Sequence, residues 1–192
     1  NACRRLFVFA TVLGLAAALG LSPRGRAGTG SYGQMAPLSR YLMADRQAEI
    51  SLARSGAPPT ISLHATVLVL GRHGYDTALR GSNGFTCLVE RSWMSPFSSP
   101  EFWNWKNRSP ICYNPPASRT VLLYTLRRTQ RVLSGQTKAE MLAGIRAAVA
   151  AKALPTPEPG SMSYMLSKRA YLNDSAGAWL PHLMLYAPQA DG

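Results

Sequence analysis

Three short apolar runs separated by glycine-containing turns make up residues 66–90, TVLVLGRHGYDTALRGSNGFTCLVE. Runs of about four to eight residues rich in β-branched and aromatic side chains, bounded by Gly and Asn, are typical of strands. Asn and Gly tolerate the positive φ angles that tight hairpin turns require. This stretch therefore predicts three strands of an antiparallel meander, on which the rest of the chain packs.

Two helices are predicted, one before and one after these strands in the sequence. Residues 41–54 have a helix-forming composition, and Gly56 with two prolines shortly after it supplies a stop. A second helix is expected from residue 118 or 119 to residue 133. It ends just before Gly135, which occupies the position of a C-cap glycine.

The start of a third helix is marked by a capping box, in which Thr137 supplies the hydroxyl and Glu140 the carboxylate. Beyond it, apolar residues at helical spacing predict one buried stripe: Met141, Leu142, Ile145 and Val149. Three prolines then end the helix in an extended linker, and residues 162–166 and 183–186 are predicted to be strands. Together these elements predict an α+β domain, an antiparallel sheet of about five strands covered on one face by helices.

Residues 91–118, here called the Trp/Pro lobe, combine five prolines with six aromatic side chains. Proline excludes a long helix or a central strand, whereas the aromatic content is too high for a disordered segment. A structureless loop of this length is uncommon in a compact domain. We therefore predict an ordered, irregular lobe that is tied to the sheet.

The first 27 residues predict a secretory signal peptide. Arg4 and Arg5 precede an uncharged apolar run of 16 residues, which is short for a membrane-spanning helix of about 20. An uncleaved N-terminal anchor is the alternative, and the arginine pair also resembles a twin-arginine export signal. Residues 28–37 are expected to be a flexible tether and residues 38–192 a single domain, exported to the periplasm or secreted.

The chain is strongly basic, with a formal net charge of +12. Removing residues 1–27 takes away four arginines and no acid, which leaves 17 basic and 9 acidic residues, or +8. Such a charge favours an anionic glycan, lipid or peptide as partner. Nucleic acid is not expected, because an exported protein has little access to it and the basic residues form no long run. A membrane contact is expected only through an uncleaved N-terminal segment.

Cys87 and Cys112 are the two cysteines outside the predicted leader. An even pair in an oxidising compartment is the setting in which disulfides persist. Closing this loop stabilises a fold by about 3.5 kcal/mol through chain entropy. A metal or redox pair is the alternative, but the C-x-x-C spacing and neighbouring histidines of a zinc site are missing. The disulfide is therefore favoured.

Several short motifs resemble a group of uncharacterised exported bacterial proteins. They are GRHGY at residues 71–75, GSNGFTC at 81–87, PEFWN at 100–104, PIC at 110–112, SYM at 163–165 and PHLM at 181–184. The shared feature of the group is a G-[ST]-N-G-[FW]-T-C turn followed later by Y-M and H-L-M segments. The resemblance implies export and carries no activity, cofactor or catalytic residue. Related sequences often have a further histidine near the last strand, where this chain has Leu180, and this departure disfavours a site built on paired histidines.

Four polar residues are candidates for an acid/base or metal site: His73, Asp76, Glu90 and His182. His73 and Asp76 share one predicted hairpin, and His182 opens a strand of the same predicted sheet. Histidine with carboxylates can act as a general base or bind a divalent metal. Their spacing matches no ligand motif, so we expect neither a metal nor a cofactor. A cell-envelope hydrolase that uses His73 with Asp76 or Glu90 is the alternative function.

The Trp/Pro lobe supplies the preferred binding surface. Its tryptophans lie near cationic residues in the sequence, and together they predict an amphipathic, cationic surface: Trp93, Trp103, Trp105, Lys106, Arg108 and Arg119. In the alternative interpretation these rings are the core of the lobe itself. The predicted function is an exported binding or interaction module for an anionic or amphipathic ligand, and the oligomeric state is left open.

A second group of basic residues, Arg127, Arg128 and Arg131, falls on the predicted second helix. Charged residues on a helix usually form a solvated face. We therefore expect these three side chains to be exposed.

Overall fold

The computed structural model of the protein describes residues 32–188, and the predicted leader lies outside the described residues. The strands are β1 (Thr66–Gly71), β2 (Gly74–Leu79), β3 (Thr86–Glu90), β4 (Ser109–Tyr113), β5 (Met162–Met165) and β6 (His182–Leu185). The α-helices are α1 (Arg46–Arg54), α2 (Pro59–Ser62), α3 (Pro115–Arg119), α4 (Val121–Leu133) and α5 (Lys138–Ala150). The predicted α+β fold class is confirmed.

The six strands form one mixed sheet in the order β2-β1-β3-β4-β5-β6. Neighbouring strands are antiparallel except β1 and β3, which run parallel. The sheet therefore has one strand more than the sequence predicts, together with one parallel pair.

The third strand of residues 66–90 does not continue the predicted meander. All five residues of β3 are buried, whereas two residues of β2 are exposed, and β3 accordingly lies in the centre of the sheet, beside β1. The connection from β2 to β3 passes across the start of β1. There a Cβ atom on Gly81 would lie 2.3 Å from the backbone nitrogen of Thr66, so only glycine fits at this crossing.

β4 places a proline inside the sheet, which corrects the prediction that the Trp/Pro lobe contains no central strand. Pro110 lies opposite Val89 of β3. The pair Cys87 and Cys112 lies two positions away from Val89 and Pro110 on the same two strands. Its Cα–Cα distance is 4.0 Å, close to the spacing of a non-hydrogen-bonded antiparallel pair. By alternation, the nitrogen of Pro110 points away from β3, and β5 pairs with β4 only at Cys112 and Tyr113. No ladder hydrogen bond is lost at the proline.

Helices and loops cover both faces of the sheet, whereas the sequence predicted one covered face. α1 packs on β1, β3 and β4, and the predicted disulfide between Cys87 and Cys112 lies in that interface. The alternate residues of the same strands point to the opposite face, where they pack with α3 and α4: Leu68, Leu88, Ile111 and Tyr113. The Trp/Pro lobe extends this second layer.

Local capping residues place the helices close to their predicted bounds. α1 begins at Arg46, later than the predicted residue 41, because the Asp45 carboxylate accepts hydrogen bonds from two backbone N–H groups of the first turn. Thr137 and Glu140 form the predicted capping box of α5. Within residues 32–188, none of the helices combines the length and the apolar character needed to cross a membrane.

The described part of the predicted tether contacts the domain. The Tyr32 hydroxyl donates a hydrogen bond to Asp174 at 2.5 Å. Met35 and Ala36 pack against buried rings of the Trp/Pro lobe. Residues 32–37 therefore contribute to the surface of the domain.

Candidate functional site

The structure does not bring the four candidate catalytic residues together. His73 and Asp76 are exposed on the β1–β2 hairpin, and His182 is exposed on β6. β2 and β6 are the two edges of the sheet, and five strand spacings separate edges by about 24 Å. Glu90 is buried. Within residues 32–188, no group of three His, Cys, Asp or Glu side chains is placed to hold a metal ion.

The rings of the Trp/Pro lobe form its core, which corrects the prediction that all three tryptophans belong to a binding surface. Trp93 is 0 % exposed and Trp103 6 % exposed. They pack with Phe102 and Tyr41 in one cluster, and the indole N–H of Trp93 donates to the Thr129 hydroxyl at 3.1 Å. An irregular segment has few ladder hydrogen bonds, so its fixed shape depends on this packing.

The cationic residues of the predicted surface are separated or already paired. The Lys106 ammonium lies 2.8 Å from Asp174. The Arg119 guanidinium is on α3 and lies 2.6 Å from Glu158. Trp105 is half-buried, and the guanidinium of Arg40 stacks 3.7 Å from its ring centroid. The six predicted residues therefore do not form one open surface.

Asp174 organises the junction between the Trp/Pro lobe and the neighbouring loop. Its carboxylate accepts hydrogen bonds from the Lys106 ammonium and from the hydroxyls of Tyr32 and Tyr171. These donors hold the pKa of the Asp174 carboxyl well below its usual range. The hydrogen bond from Tyr171 to Asp174 raises the pKa of Tyr171 to about 12. With its donors in place, this cluster acts as a structural link between the two segments.

Arg128 is buried, which corrects the prediction that it belongs to a solvated face, whereas Arg127 on the same helix is exposed as predicted. Its guanidinium lies 4.0 Å from the ring centroid of Phe97 and 5.2 Å from that of Phe102. It donates hydrogen bonds to the Tyr124 hydroxyl and to the Ser95 carbonyl. Burial lowers the pKa of Arg128. The helix thus uses this arginine to attach the Trp/Pro lobe to α4.

The carboxyl group of Glu90 is buried between the sheet and α4. Its Oε1 atom accepts hydrogen bonds from the Tyr113 hydroxyl at 2.5 Å and the Thr125 hydroxyl at 3.0 Å. Burial raises the pKa of Glu90, and the two hydroxyls and Arg128 only partly oppose this effect. Glu90 is therefore a proton-binding group in the core with no histidine beside it.

Replacing Glu90 with glutamine should remove part of the pH dependence of stability. Because the folded pKa is raised, the carboxyl binds its proton more tightly when folded, and ionisation of the unfolded chain lowers stability above about pH 4.3. We expect E90Q to gain stability over the wild type by up to about 1.4 kcal/mol per pH unit above this point. The stability gain of E90Q should stop increasing once the pH exceeds the pKa of Glu90 in the folded protein. Urea unfolding of both proteins from about pH 4 to about pH 8 tests this, and a constant difference would contradict it.

A cavity lies beside this buried network, between α4, the end of α5, the proline-containing segment after it and the end of β6. It has a volume of about 810 Å³, and its lining residues are Thr120, Val121, Tyr124, Val149, Lys152, Leu154, Pro155, Thr156, Pro157, Tyr186 and Ala187. We call it the α4–α5 cleft. Its walls are mainly apolar, and Lys152 is the only charged residue in its lining among residues 32–188.

Two tyrosines connect the α4–α5 cleft to the core. The Tyr124 hydroxyl accepts a hydrogen bond from Arg128 at 3.0 Å, and the Tyr186 hydroxyl lies 2.9 Å from that of Ser163. The Tyr186 ring centroid is 6.3 Å from that of Tyr113, and burial raises the pKa of Tyr186. Both hydroxyls are thus held in place, as binding-site polar groups usually are.

Lys152 has an unusual backbone. Its φ angle is 54°, and within residues 32–188 it is the only non-glycine residue with positive φ. It follows the end of α5, where its N–H donates to the Val149 carbonyl at 2.9 Å. Glycine is the usual residue at such a helix end. A lysine is strained there, and this residue also belongs to the lining of the cleft.

The composition of the α4–α5 cleft suits ligand binding. Among the described residues its lining contains no acid, histidine, serine or cysteine, and its polar side chains are those of Lys152, two threonines and two tyrosines. Apolar walls of this volume suit a hydrocarbon chain or ring system, and Lys152 suits an anionic group.

Two features of the sequence belong to this cleft, but neither of them was sufficient to predict it. Val149 belongs to the predicted apolar stripe of α5, but it is 53 % exposed because it forms a cleft wall and not the core. The prolines after α5 were predicted to be a linker, and Pro155 and Pro157 form the opposite wall.

No protein-family model, curated protein or solved structure matches the chain. The resemblance to exported bacterial proteins therefore stays a prediction.

Proposed function

We propose that this protein acts outside the cytoplasm as a binding protein for an amphipathic molecule with an anionic end. The apolar part of the ligand occupies the α4–α5 cleft, and the anionic end lies beside Lys152. The observation that supports this most directly is a cavity of about 810 Å³ with mainly apolar walls, in which Lys152 is the one charged lining residue among those described. Ligand sites of drug-sized molecules have volumes of about 300–1,000 Å³ and the same composition.

Two further observations support the proposal. The disulfide between Cys87 and Cys112 favours an oxidising compartment, where such bonds persist. The net charge of +8 that remains without residues 1–27 attracts anionic ligands at long range. This basic character fits a fatty acid or another anionic lipid better than a neutral one.

A set of three twelve-carbon probes tests the sign of the ligand charge. We expect dodecanoate to bind and to raise the melting temperature. Dodecanol, which shares the chain but lacks the charge, should bind more weakly, and dodecyltrimethylammonium weakest. Titration calorimetry below the critical micelle concentration measures all three. Absence of binding by every probe would refute an amphipathic ligand, and equal binding would refute the role of charge.

Charge reversal at Lys152 tests the position of the anionic end. An exposed charge pair contributes about 0.2–1 kcal/mol, so K152E, which replaces attraction by repulsion, should weaken dodecanoate binding by about five- to tenfold. The matched control is K168E, which makes the same charge change at an exposed lysine outside the cleft and should change the affinity less than about twofold. Equal effects of both variants would place the anionic end elsewhere.

The backbone of Lys152 allows affinity to be separated from stability. Glycine relieves the cost of a positive φ, which is about 1 kcal/mol. We therefore expect K152G to raise the melting temperature and at the same time to weaken dodecanoate binding. A variant that loses affinity because it unfolds would show the opposite change in melting temperature.

Two exposed apolar side chains, one inside and one outside the cleft, test the cleft wall. Val149 lines the cleft and is 53 % exposed, whereas Leu123 on α4 is 40 % exposed and does not line it. V149E places a carboxylate in the apolar wall and should abolish dodecanoate binding, because burying an unpaired charge is costly. L123E should leave binding unchanged. Retained binding in V149E would refute the α4–α5 cleft as the site.

A further inference from the structure

The two edges of the sheet are protected to different degrees. β2 carries the charged side chain of Asp76, and its pairing with β1 is irregular between Val67 and Leu68. Charges and bulges of this kind prevent an edge strand from pairing with another chain. β6 has no such device: its sequence is HLML, and its pairing with β5 is regular.

The pairing with β5 defines which backbone groups of β6 are free. The N–H of Tyr186 donates to the Ser161 carbonyl at 3.0 Å. In an antiparallel ladder, inward- and outward-pointing groups alternate along the strand. The backbone groups of Met184 therefore point to β5. The N–H and C=O groups of Leu183 and Leu185 point to the outer edge, where no other strand of residues 32–188 pairs with them.

The side chains of these two leucines are also uncovered. Leu183 lies opposite Tyr164 and Leu185 opposite Met162, on the α1 face of the sheet. α1 packs on β1, β3 and β4, and it leaves Leu183 51 % and Leu185 81 % exposed. Free hydrogen-bonding groups and exposed apolar side chains thus occur on the same two residues.

The charge distribution identifies the kind of partner. Residues 175–190 contain no Asp, Glu, Lys or Arg in a chain of net charge +12. An anionic peptide would find no complementary charge on this edge. Two copies of a basic chain, by contrast, repel each other least where both are neutral, and two identical antiparallel edges can satisfy each other by two-fold symmetry.

We propose that β6 pairs with β6 of a second copy of this chain, so that two six-stranded sheets join into one. The register follows from the free groups. Leu183 lies opposite Leu185 of the other copy, which satisfies the outward N–H and C=O groups of both residues, and the two Met184 residues face each other at the two-fold axis. Pro181 ends the pairing on one side, because it has no N–H to donate.

The size of this contact predicts a reversible dimer. Stable interfaces bury about 1,200 Å² or more of surface. Two exposed leucines per copy provide much less apolar area than this. The same register places His182 of one copy opposite Tyr186 of the other, at the end of the α4–α5 cleft. The pairing itself requires no ligand, and its test is independent of ligand binding.

Cysteine cross-linking tests the register. In the C3S background, M184C places two thiols at a non-hydrogen-bonded pair with a Cα–Cα distance of about 4.5 Å, the type of position that the native Cys87–Cys112 bridge occupies. We expect mild oxidation to give a covalent dimer. The matched control is H182C, whose two copies lie about 13 Å apart in this register, too far for a disulfide. Absence of the M184C dimer, or equally fast H182C dimers, would overturn the register.

Light scattering over a range of concentrations tests the dimer without cysteines. The wild type should change from monomer to dimer as its concentration rises. L183K/L185K should raise the dissociation constant about tenfold or more, because lysine on an edge strand opposes pairing, with little change in melting temperature. L123K, at an exposed leucine of α4, should dimerise normally. A wild type that is monomeric at every concentration, or a dimer that survives L183K/L185K, would refute the proposal.

Discussion

Replacing Arg91 with methionine is expected to lower the free energy of unfolding by about 3–5 kcal/mol, because the change leaves a buried carboxylate without its partner. The Arg91 guanidinium lies 2.8 Å from Glu49, and both side chains are almost fully buried. Glu49 also accepts a hydrogen bond from the backbone N–H of Leu70 at 3.1 Å. The ion pair therefore connects α1 to β1 and to the end of β3.

Arg91 contributes more than its charge. Its Nε atom donates to the Tyr41 carbonyl at 2.7 Å, and another guanidinium nitrogen donates to the Val89 carbonyl. Loss of the side chain leaves the buried Tyr41 carbonyl unpaired as well, and a buried unpaired group costs about 1–3 kcal/mol. The Val89 carbonyl keeps the hydrogen bond that the Tyr75 hydroxyl donates at 2.7 Å. The effect should therefore lie at the upper end of the range.

Urea unfolding followed by tryptophan fluorescence measures this effect. R72M is the matched control, because Arg72 is exposed on the β1–β2 hairpin, and it should change stability by no more than about 0.5 kcal/mol. The double variant E49L/R91M should recover a large part of the loss, since an apolar pair leaves no buried charge. A loss below about 1 kcal/mol in R91M would contradict this account of the pair.

Removal of the disulfide is the second large effect that we expect. Cys87 and Cys112 are 25 residues apart in the sequence, and opening a loop of this length lowers stability by about 3.5 kcal/mol through the entropy of the unfolded chain. The variant C87A/C112A should show this loss. Because both residues are fully buried, a reductant should act on the native protein only after unfolding.

Two controls separate the cross-link from the packing of the cysteines. Wild-type protein that is unfolded, reduced, alkylated and refolded should lose at least as much stability as C87A/C112A. Mass spectrometry with and without reductant should show a two-dalton difference for the wild type. A double variant as stable as the wild type would contradict the chain-entropy account.

Signals within a few residues of each other were sufficient to predict much of the secondary structure. The capping box of Thr137 and Glu140 places α5 within one turn, because both hydrogen bonds form between residues three positions apart. The strands of residues 66–90 were predicted from their apolar runs and turns for the same reason. The cysteine pair was predicted from its even number and its expected compartment.

Features that depend on which strands become neighbours were not predicted. Periodicity does not show that β3 lies beside β1, and the place of Pro110 in a central strand requires knowing that β5 does not reach it. The four candidate acid/base residues do not come together for a similar reason. His73 and Asp76 lie at one edge of the sheet, His182 at the other and Glu90 in the interior, and only the strand order shows this.

The local sequence is enough to specify helices, strands and turns, because their hydrogen bonds and periodicity involve residues close in the chain. The burial of Glu90 and Arg128, with the pKa shifts that it causes, arises only in the tertiary structure. The α4–α5 cleft also exists only there. An ionisable side chain looks the same in a sequence whether it is solvated or buried, and only the packing of distant segments around it fixes its environment. A cavity, likewise, belongs to the space between elements and to none of them alone.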